Sequence, residues 1–431
     1  MARALVPLQN MMEEGITTLG SKKLFEPKDF VVIYTITYNM CTQQAPFNWS
    51  TELYQRHGEY IGTYLNKFVL PALQGLHGQH LLEELTRRGS NHLVMNKWLS
   101  QFFMYLDRFH VTYNSLPTLT DTGLVKFKDI VFDQVKENVT NAILLLINQE
   151  RNGATIDRPA VGSVIELFVS MGMGRLDVYV EEFETHLLTW ARAYYEHKAN
   201  EWMQDDSTPV YLLKSEKALT EESSRVQQYL NSESEPKLLQ AVEEELLAKF
   251  EMQLLEKEGS GCRALLRNNK TEDLARMYSL FSRIPDGIAP MAEILRQHVV
   301  ELGSDKIEAR VARVESAKEK ESNDDPEFIK DLLNVHEQYI DLIEKNFSND
   351  ALFQKALKKA FQEIINRNAG KFTTANLLSS FCDRVLKGKE KLNEQETDSF
   401  LERTVQVCFT NFKWLFLYTA IILFHLEWCI R

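Results

Sequence analysis

The residues that could perform chemistry are few and scattered along this chain of 431 residues. His77 and His80 are three positions apart and would share one face of a helix, a pattern that favours a surface pair over a zinc site. Gly172 and Gly174 lie between predicted helices with no strand before them, so they do not predict a dinucleotide site. The sequence has no P-loop, GxSxG or HExxH motif. We therefore expect no catalytic residue, no cofactor and no metal, and a protein that is not an enzyme.

Two segments rich in aromatic residues point instead to recognition. The first is DFVVIYTITYNMCTQ, and the second is HLVMNKWLSQFFMYLDRFHV. On a helix, one stripe of the first segment holds Phe30, Tyr34, Tyr38 and Cys41, whose spacings are four, four and three. Two neighbouring stripes hold Val31, Thr35 and Asn39, and Ile33, Ile36 and Met40. A helix that is apolar on nearly every side is covered either by the core of its own domain or by a partner.

The composition is that of a globular, helical protein. Hydrophobic residues make up 44% and charged residues 26% of the chain, while 18 glycines and 11 prolines are few for this length. The net charge of −12 argues against a nucleic-acid partner, since such proteins present a basic face. The 5 cysteines are scattered and form no CxxC pair, which suits a reducing compartment. The start of the chain has no continuous apolar segment typical of a secretory signal.

Helical periodicity and breakers predict five helices within the first 115 or so residues. They cover residues 1–24, Asp29–Cys41 with Asp29 as the N-cap, Ser50–Leu70, Pro71–Arg88 and Asn91–Val111, with Gly89 as the last break. Further breaks are predicted at Gly153 and at Ser207–Pro209. The charged run Val314–Glu327 is interpreted as a solvated loop or a frayed helix end. The spacing of breakers suggests three helical units of similar size, stacked as in a solenoid.

The last 25 or so residues differ in kind from the rest. Their uninterrupted apolar run extends only from Trp414 to Phe424, which is 11 residues, whereas a membrane span needs about 20. A membrane anchor over Trp414–Ile430, a buried helix and a tail unrelated in origin to the preceding domain are the alternatives. We favour the unrelated tail.

Several long segments together resemble the cullin family, and closely a plant-type cullin-one that scaffolds SCF ubiquitin ligases. They are YTITYNMCTQ, WLSQFFMYLDRF, QERNGATIDR, SESEPKLL, LLEKEGSGCRALLRNNKTEDLARMYSLFSRIPDGI and LFQKALKKAFQEIINRNAG. The resemblance covers residues from about 6 to 406. It implies an all-α fold of three stacked five-helix cullin repeats that form an elongated curved stalk. The expected domains are residues 1–125, 126–250 and 251–406 for the repeats, followed by the apolar tail at 407–431.

In this family the second and fifth helices of the first repeat hold a Skp-type adaptor, which carries an F-box substrate receptor. Carried over by position, the adaptor-binding residues are Phe30, Val31, Tyr34 and Tyr38 on the second helix, and Phe103, Tyr105, Asp107, Arg108 and Val111 on the fifth. The alternative for Tyr38, Phe103 and Tyr105 is that they point inward and join the helices. The family usually has Tyr where this chain has Phe30, so one hydroxyl contact is expected to be missing.

The resemblance implies a non-catalytic scaffold for ubiquitin-dependent protein degradation, cytoplasmic and nuclear. In the family pattern a globular domain that binds a RING-box subunit follows LERTVQV, and here the apolar tail stands in its place. We therefore expect a truncated form that binds the adaptor but not the RING-box subunit, and we consider a membrane partner unlikely. Two other classes stay open: a helical interaction protein tethered to a membrane by the tail, and a helical stalk that tethers vesicles.

Overall fold

The computed structural model describes residues 27–44, 46–317 and 322–387. The predicted helix at 1–24 and the apolar tail at 407–431 lie outside the described residues. Within those ranges the chain is helical, with no β-strand beyond one isolated bridge between Asn368 and Thr373. The prediction of an all-α fold is confirmed.

The chain divides into two compact units. The first unit contains the residues up to Tyr195 together with Thr220–Ala241, and the second contains Glu196–Leu219 together with the residues from Val242 onward. Nothing in this division tests the three repeats expected at 1–125, 126–250 and 251–406, so they stay a prediction.

We number the helices in chain order. The first five are α1 (Pro27–Thr42), α2 (Ser50–Tyr64, continuing through Leu65–Val69 to Leu70–Leu73), α3 (Gly78–Phe102), α4 (Leu106–Val111 and Thr112–Asn114) and α5 (Leu119–Phe127, Lys128–Phe132 and Asp133–Arg151). They are followed by α6 (Arg158–Met171), α7 (Asp177–Tyr179, Val180–Glu184 and Thr185–Asp205), α8 (Thr208–Tyr229) and α9 (Glu235–Leu246). The later helices are α10 (Glu251–Glu256), α11 (Cys262–Arg267), α12 (Thr271–Phe281), α13 (Ala289–Ala317), α14 (Pro326–Asn346), α15 (Ala351–Ile365) and α16 (Thr374–Leu386).

The core of the first unit is a continuous cluster of aliphatic and aromatic side chains from α1 to α7. Phe102, Phe127, Phe132 and Phe168 are each 0% exposed. The rings of Phe132 and Phe168 meet edge to face at 4.8 Å. Burial of side chains of this size supplies most of the free energy that holds such helices together.

The second unit has its own aromatic centre. Phe347 and Phe353 are fully buried, and their ring centroids are 4.5 Å apart. Tyr278 of α12 contacts both rings, at 5.6 Å and 5.7 Å. These contacts join α12 to Phe347 at the end of α14 and to Phe353 of α15.

The predicted breaks at Pro71 and Gly89 are wrong. α2 continues past Pro71 to Leu73, because a π-helical turn over Leu65–Val69 precedes the proline. The chain turns instead at Gly75 and Gly78, which have φ of 80° and 57°. Gly89 lies inside α3, where a β-carbon would come within 3.1 Å of Leu167 of α6. This glycine therefore allows two helices to approach closely and does not end one.

The other breaks are confirmed with one adjustment. α5 ends at Arg151 just before Gly153, which has φ of 92°, and α8 begins at Thr208. In the charged run Val314–Glu327, α13 extends to Ala317 and residues 318–321 lie outside the described part of the chain.

The described acidic end of this run is held by ion pairs. Asp324 pairs with Arg384 at 2.8 Å, and Asp325 pairs with both Arg310 and Arg313, at 3.0 Å and 2.6 Å. This end is therefore tied to its own unit by ion pairs, while Ser322, Asn323 and Asp324 are exposed to solvent.

Candidate partner-binding surface

Among the described residues, helix α1 packs on the rest of the first unit along one side. It begins at Pro27, so Asp29 lies within its first turn and is not the predicted N-cap, although its charge there still favours the positive end of the helix dipole. Thr37 and Cys41 are buried, and Phe30 packs on Trp98 and Phe102 of α3, with ring centroids 6.5 Å and 5.5 Å apart. These contacts fix the orientation of α1.

The opposite side of α1 is exposed and combines several apolar residues with the polar Thr35 and Asn39. Val31 is 59% exposed, Val32 55%, Ile36 51% and Tyr38 42%. Tyr34 is half-buried at the edge of this side. Exposure of so many large apolar side chains on one helix is unusual unless a partner covers them.

A second part of this surface comes from α4. Its first segment, Leu106–Val111, is π-helical, as are three other described segments. Tyr38 of α1 meets Tyr105 edge to face at 4.9 Å, and Tyr105 stacks on Phe109 at 4.4 Å. Phe109 is 56% exposed, so the row of three rings runs from α1 outward onto α4. We call the following six residues the aromatic surface: Val31, Val32, Ile36, Tyr38, Tyr105 and Phe109.

Two residues predicted to bind a partner are part of the core. Phe103 is 5% exposed and packs edge to face on His57, with ring centroids 6.1 Å apart. Val111 is 4% exposed. Because so little of either side chain reaches the surface, we expect both to support the aromatic surface from beneath without contacting a partner.

Asp107 and Arg108 have different surroundings although they are adjacent. Asp107 is half-buried, and its Oδ1 accepts a 2.9 Å hydrogen bond from the backbone N–H of Leu119 at the start of α5. Burial raises the pKa of the Asp107 carboxyl, and the hydrogen bond from Leu119 acts in the opposite direction. Arg108 is exposed. Asp107 therefore ties α4 to α5, whereas Arg108 presents a cation beside the aromatic surface.

Three residues of this surface were missed from the sequence. Val32 was in none of the predicted stripes, and Ile36 was in a stripe that could equally have faced the core. Only the placement of α1 against α3 shows which side is covered. Phe109 follows Tyr105 by four positions, so the helical spacing contained a signal for it. Tyr113, which is 88% exposed, lies one turn beyond Phe109 and was also missed.

The first unit also contains a cluster of buried charged and tyrosine side chains. It consists of Glu150, Arg151, Tyr195, Glu222, Arg225 and Tyr229, and we call it the ionic cluster. Arg151 donates two hydrogen bonds to Glu222, of 2.8 Å and 3.1 Å, and both side chains are within 1% of complete burial. Burial alone would raise the pKa of Glu222, but Arg151 and Arg225 lower it overall.

The remaining members close this network. Arg225 donates to Glu150 and to Glu222, each at 2.9 Å. Tyr195 donates to Glu222 at 2.6 Å, and Tyr229 donates to Glu150 at 2.7 Å. With each carboxylate matched by arginines and tyrosines of α5, α7 and α8, the ionic cluster holds these helices together.

The described residues contain no group of three or more His, Cys, Asp or Glu arranged to hold a metal ion. His80 is 84% exposed in its side chain and lies 3.6 Å from Glu83, which agrees with a surface histidine. Within the same residues, none of the helices has both the length and the apolar character needed to cross a membrane.

A helical fold over the described residues, with an aromatic surface at its periphery, is typical of a protein that binds other proteins. Residues 9–413 match the family model described as the cullin alpha solenoid domain. The chain belongs to the cullin family.

Individual relatives agree with this assignment. "Cullin-1" of Oryza sativa subsp. japonica is 41% identical over 92% of this chain and 55% of its own length. "Putative cullin-like protein 1" and "Cullin-2" of Arabidopsis thaliana are each 37% identical over 94% of this chain, and the match covers 56% and 55% of their lengths. The chain thus spans about half the length of these curated relatives.

Proposed function

We propose that this protein is a non-catalytic scaffold of a ubiquitin ligase and that its aromatic surface binds a Skp-type adaptor, through which an F-box substrate receptor is recruited. The single observation that carries the proposal is the row formed by Tyr38, Tyr105 and Phe109, in which Tyr38 is 42% and Phe109 56% exposed. Membership of the cullin family supports it, since the resemblance implies an adaptor at the helices that carry this row.

The physical make-up of the surface fits a protein partner. Aromatic side chains give a large apolar contact area for few rotatable bonds, and Tyr and Arg are enriched among the residues that dominate binding energy. Val31 and Tyr38 extend the apolar area on α1, and Arg108 adds a charge beside it. An adaptor with a matching apolar groove would bury this apolar area, and an acidic edge on the adaptor would pair with Arg108.

The degree of preorganisation also supports docking. Phe30 packs on α3, Phe103 packs on His57, and Asp107 binds the start of α5. Because α1 and α4 are each fixed by such contacts, little conformational entropy is lost when a partner covers them. We place the protein's action in the cytoplasm and nucleus, where the family resemblance implies it.

The test is a calorimetric titration of the full chain with a recombinant Skp-type adaptor. We expect Tyr34→Ala combined with Arg108→Ala to weaken binding by about 30-fold or more, which corresponds to about 2 kcal/mol. Leu145→Ala is the matched control, because Leu145 is a 53% exposed apolar residue of α5 outside the aromatic surface. No binding by the folded wild-type chain, or equal weakening by Leu145→Ala, would refute the proposal.

A further inference from the structure

Helix α15 of the second unit carries a cluster of lysines on its surface. Lys355, Lys358 and Lys359 are all exposed, and spacings of three and four from Lys355 place them together on one side of the helix. The other side of α15 is buried through residues such as Phe353 and Phe361. Because that packing fixes the rotation of the helix, the three lysines face solvent together. We call them the lysine cluster.

The lysine cluster is not neutralised within the described part of the protein. No carboxylate among the described residues lies within 4.0 Å of its three ammonium groups. Glu363 follows Lys359 by one turn, but it pairs with Arg296 at 3.1 Å and with Arg367 at 2.5 Å. Glu293 of α13 pairs with Arg296 at 2.7 Å. Arg296 is the main group that lowers the pKa of Glu293, and Lys359 contributes least to that effect.

Two other exposed lysines of the second unit show the contrast. Lys306 pairs with Asp331 at 2.9 Å, and Lys345 pairs with Asp341 at 2.6 Å. Like charges three and four positions apart on a helix repel each other and weaken the helix. The lysine cluster therefore lowers the stability of α15 with no neutralising partner among the described residues. This arrangement favours a role in which another molecule supplies the negative charge.

An apolar side chain lies beside the lysine cluster. Leu352 is 44% exposed and precedes Lys355 by three positions, so it continues the same side of α15. From Leu352 to Lys359 the helix advances by about 10 Å. An extended polypeptide covers this distance with about three residues. The surface therefore matches a short segment of chain that combines carboxylates with one apolar side chain.

We propose that the lysine cluster and Leu352 bind a short acidic segment of another protein. Asp or Glu side chains of that segment would pair with the three ammonium groups, and an apolar side chain next to them would cover Leu352. Lysine ammonium groups on flexible stems act as point charges and set no fixed pairing geometry, which suits a segment without its own fold.

The charge of the whole chain favours a peptide segment over a larger polyanion. The net charge is −12, so a nucleic acid or an anionic membrane would meet repulsion from the remainder of the protein. A short segment extends over little more than one screening length, about 8 Å at physiological salt, and is affected mainly by the lysines it contacts. Since this surface belongs to the second unit, the proposal does not depend on adaptor binding by the first.

The test measures the fluorescence anisotropy of a labelled peptide, one Leu followed by six alternating Asp and Glu residues, titrated with the full chain. We expect a Kd on the order of 100 μM at low ionic strength. Raising the salt from about 50 mM to about 200 mM should weaken binding by about tenfold, because exposed charges are screened. The matched peptide with Asn and Gln in place of Asp and Glu should not bind at up to about 1 mM protein.

Replacing all three lysines of the cluster by glutamine should weaken peptide binding by about tenfold or more. The urea midpoint of this variant should not fall, because the substitution removes like-charge repulsion from exposed positions. The control is the triple variant Lys67→Gln, Lys97→Gln and Lys270→Gln, which makes the same change in net charge at scattered exposed positions. It should change the peptide Kd by less than about twofold.

The variant Leu352→Ala should weaken binding by about threefold, as expected from the loss of part of an apolar contact. The proposal is overturned by the absence of peptide binding to the wild-type chain, by equal loss in the two triple variants, or by wild-type affinity in Leu352→Ala. A single-stranded oligonucleotide or an anionic phospholipid vesicle that binds the lysine cluster more tightly than the peptide would also overturn it.

Discussion

The aromatic surface and the ionic cluster belong to the same unit but differ in whether their side chains are satisfied within the protein or left exposed. In the ionic cluster, the carboxylates of Glu150 and Glu222 are matched by arginines and tyrosines within the protein. In the aromatic surface, Val31 and Phe109 keep more than half of their area open to solvent. Strong interactions that are complete within the chain stabilise the fold, whereas apolar groups that stay exposed indicate where another molecule binds.

The largest expected effect comes from a substitution in the ionic cluster. Glu222→Ala removes the carboxylate that pairs with Arg151 and Arg225 and leaves a fully buried guanidinium without its counter-charge. We expect the free energy of unfolding of the first unit to fall by about 3–5 kcal/mol, measured by urea denaturation. A loss below about 1 kcal/mol would show that water or structural relaxation compensates for the lost carboxylate. The ionic cluster would then not hold the helices together as we describe.

On the aromatic side, Tyr38→Ala combined with Phe109→Ala should have the reverse effect. Phe109 is 56% and Tyr38 42% exposed, so we expect stability to change by only about 1 kcal/mol. Adaptor binding should weaken by about 2–4 kcal/mol, as is usual when central aromatic anchors are removed. Calorimetric titration and urea denaturation of the same preparation measure the two quantities, and a variant that loses stability but keeps affinity would reverse our assignment.

Lowering the pH should destabilise the buried residues that support the aromatic surface. His57 and His92 are buried, which lowers the pKa of each to about 4, against an ordinary value of 6.5 in the unfolded chain. The unfolded state therefore binds protons first as pH falls, and stability should decline between about pH 6.5 and pH 4 while staying unaffected above that window. At pH 5 the expected loss is about 2 kcal/mol for each histidine.

The variants His57→Leu and His77→Gln isolate this effect. Neither ring nitrogen of buried His57 has a hydrogen-bond partner among the described residues, so leucine removes a titrating group without orphaning another. His57→Leu should lose about half of the pH sensitivity that the two histidines give, and His77→Gln, at an exposed position, is the matched control. Urea denaturation at pH 7.5 and pH 5.0 gives the comparison, and an unchanged slope in His57→Leu would contradict the assignment.

The smallest expected difference separates two adjacent residues. Asp107→Ala removes the acceptor for the N–H of Leu119 and should cost about 1 kcal/mol of stability, with little direct effect on adaptor binding. Arg108→Ala should weaken adaptor binding and leave stability within about 0.5 kcal/mol, because the side chain is exposed. If both variants reduced stability alone, or both weakened adaptor binding alone, the assignment of Asp107 as a supporting residue and Arg108 as a contact residue would be wrong.

The sequence predicted helices well and their ends less well. Apolar spacing of three and four located α1 and the aromatic segment, because such periodicity reflects burial directly. The predicted breaks at Pro71 and Gly89 were wrong. A π-helical turn precedes the proline and lets the helix continue through it, and close packing on Leu167 requires the glycine inside its helix. Both causes are tertiary and leave no local sequence signal.

The candidate site was predictable in outline. Tyr38 and Tyr105 were chosen through the family resemblance, and the structure brings their rings together at 4.9 Å. Phe103 and Val111 were chosen by the same reasoning and are buried, because position along a motif does not say which way a side chain points once the helix departs from regular geometry at Leu106–Val111. Val32 and Ile36 could be recognised as exposed only after α1 was seen against α3.

The most direct test of the central claim is hydrogen exchange of the full chain with and without a saturating Skp-type adaptor. The account predicts that the amides of 27–42 and 103–114 become protected in the complex, while those of 133–151, which contribute Glu150 and Arg151 to the ionic cluster, keep their exchange rates. Protection confined to any other part of the chain, with 27–42 and 103–114 unchanged, would show that the aromatic surface is not where the adaptor binds.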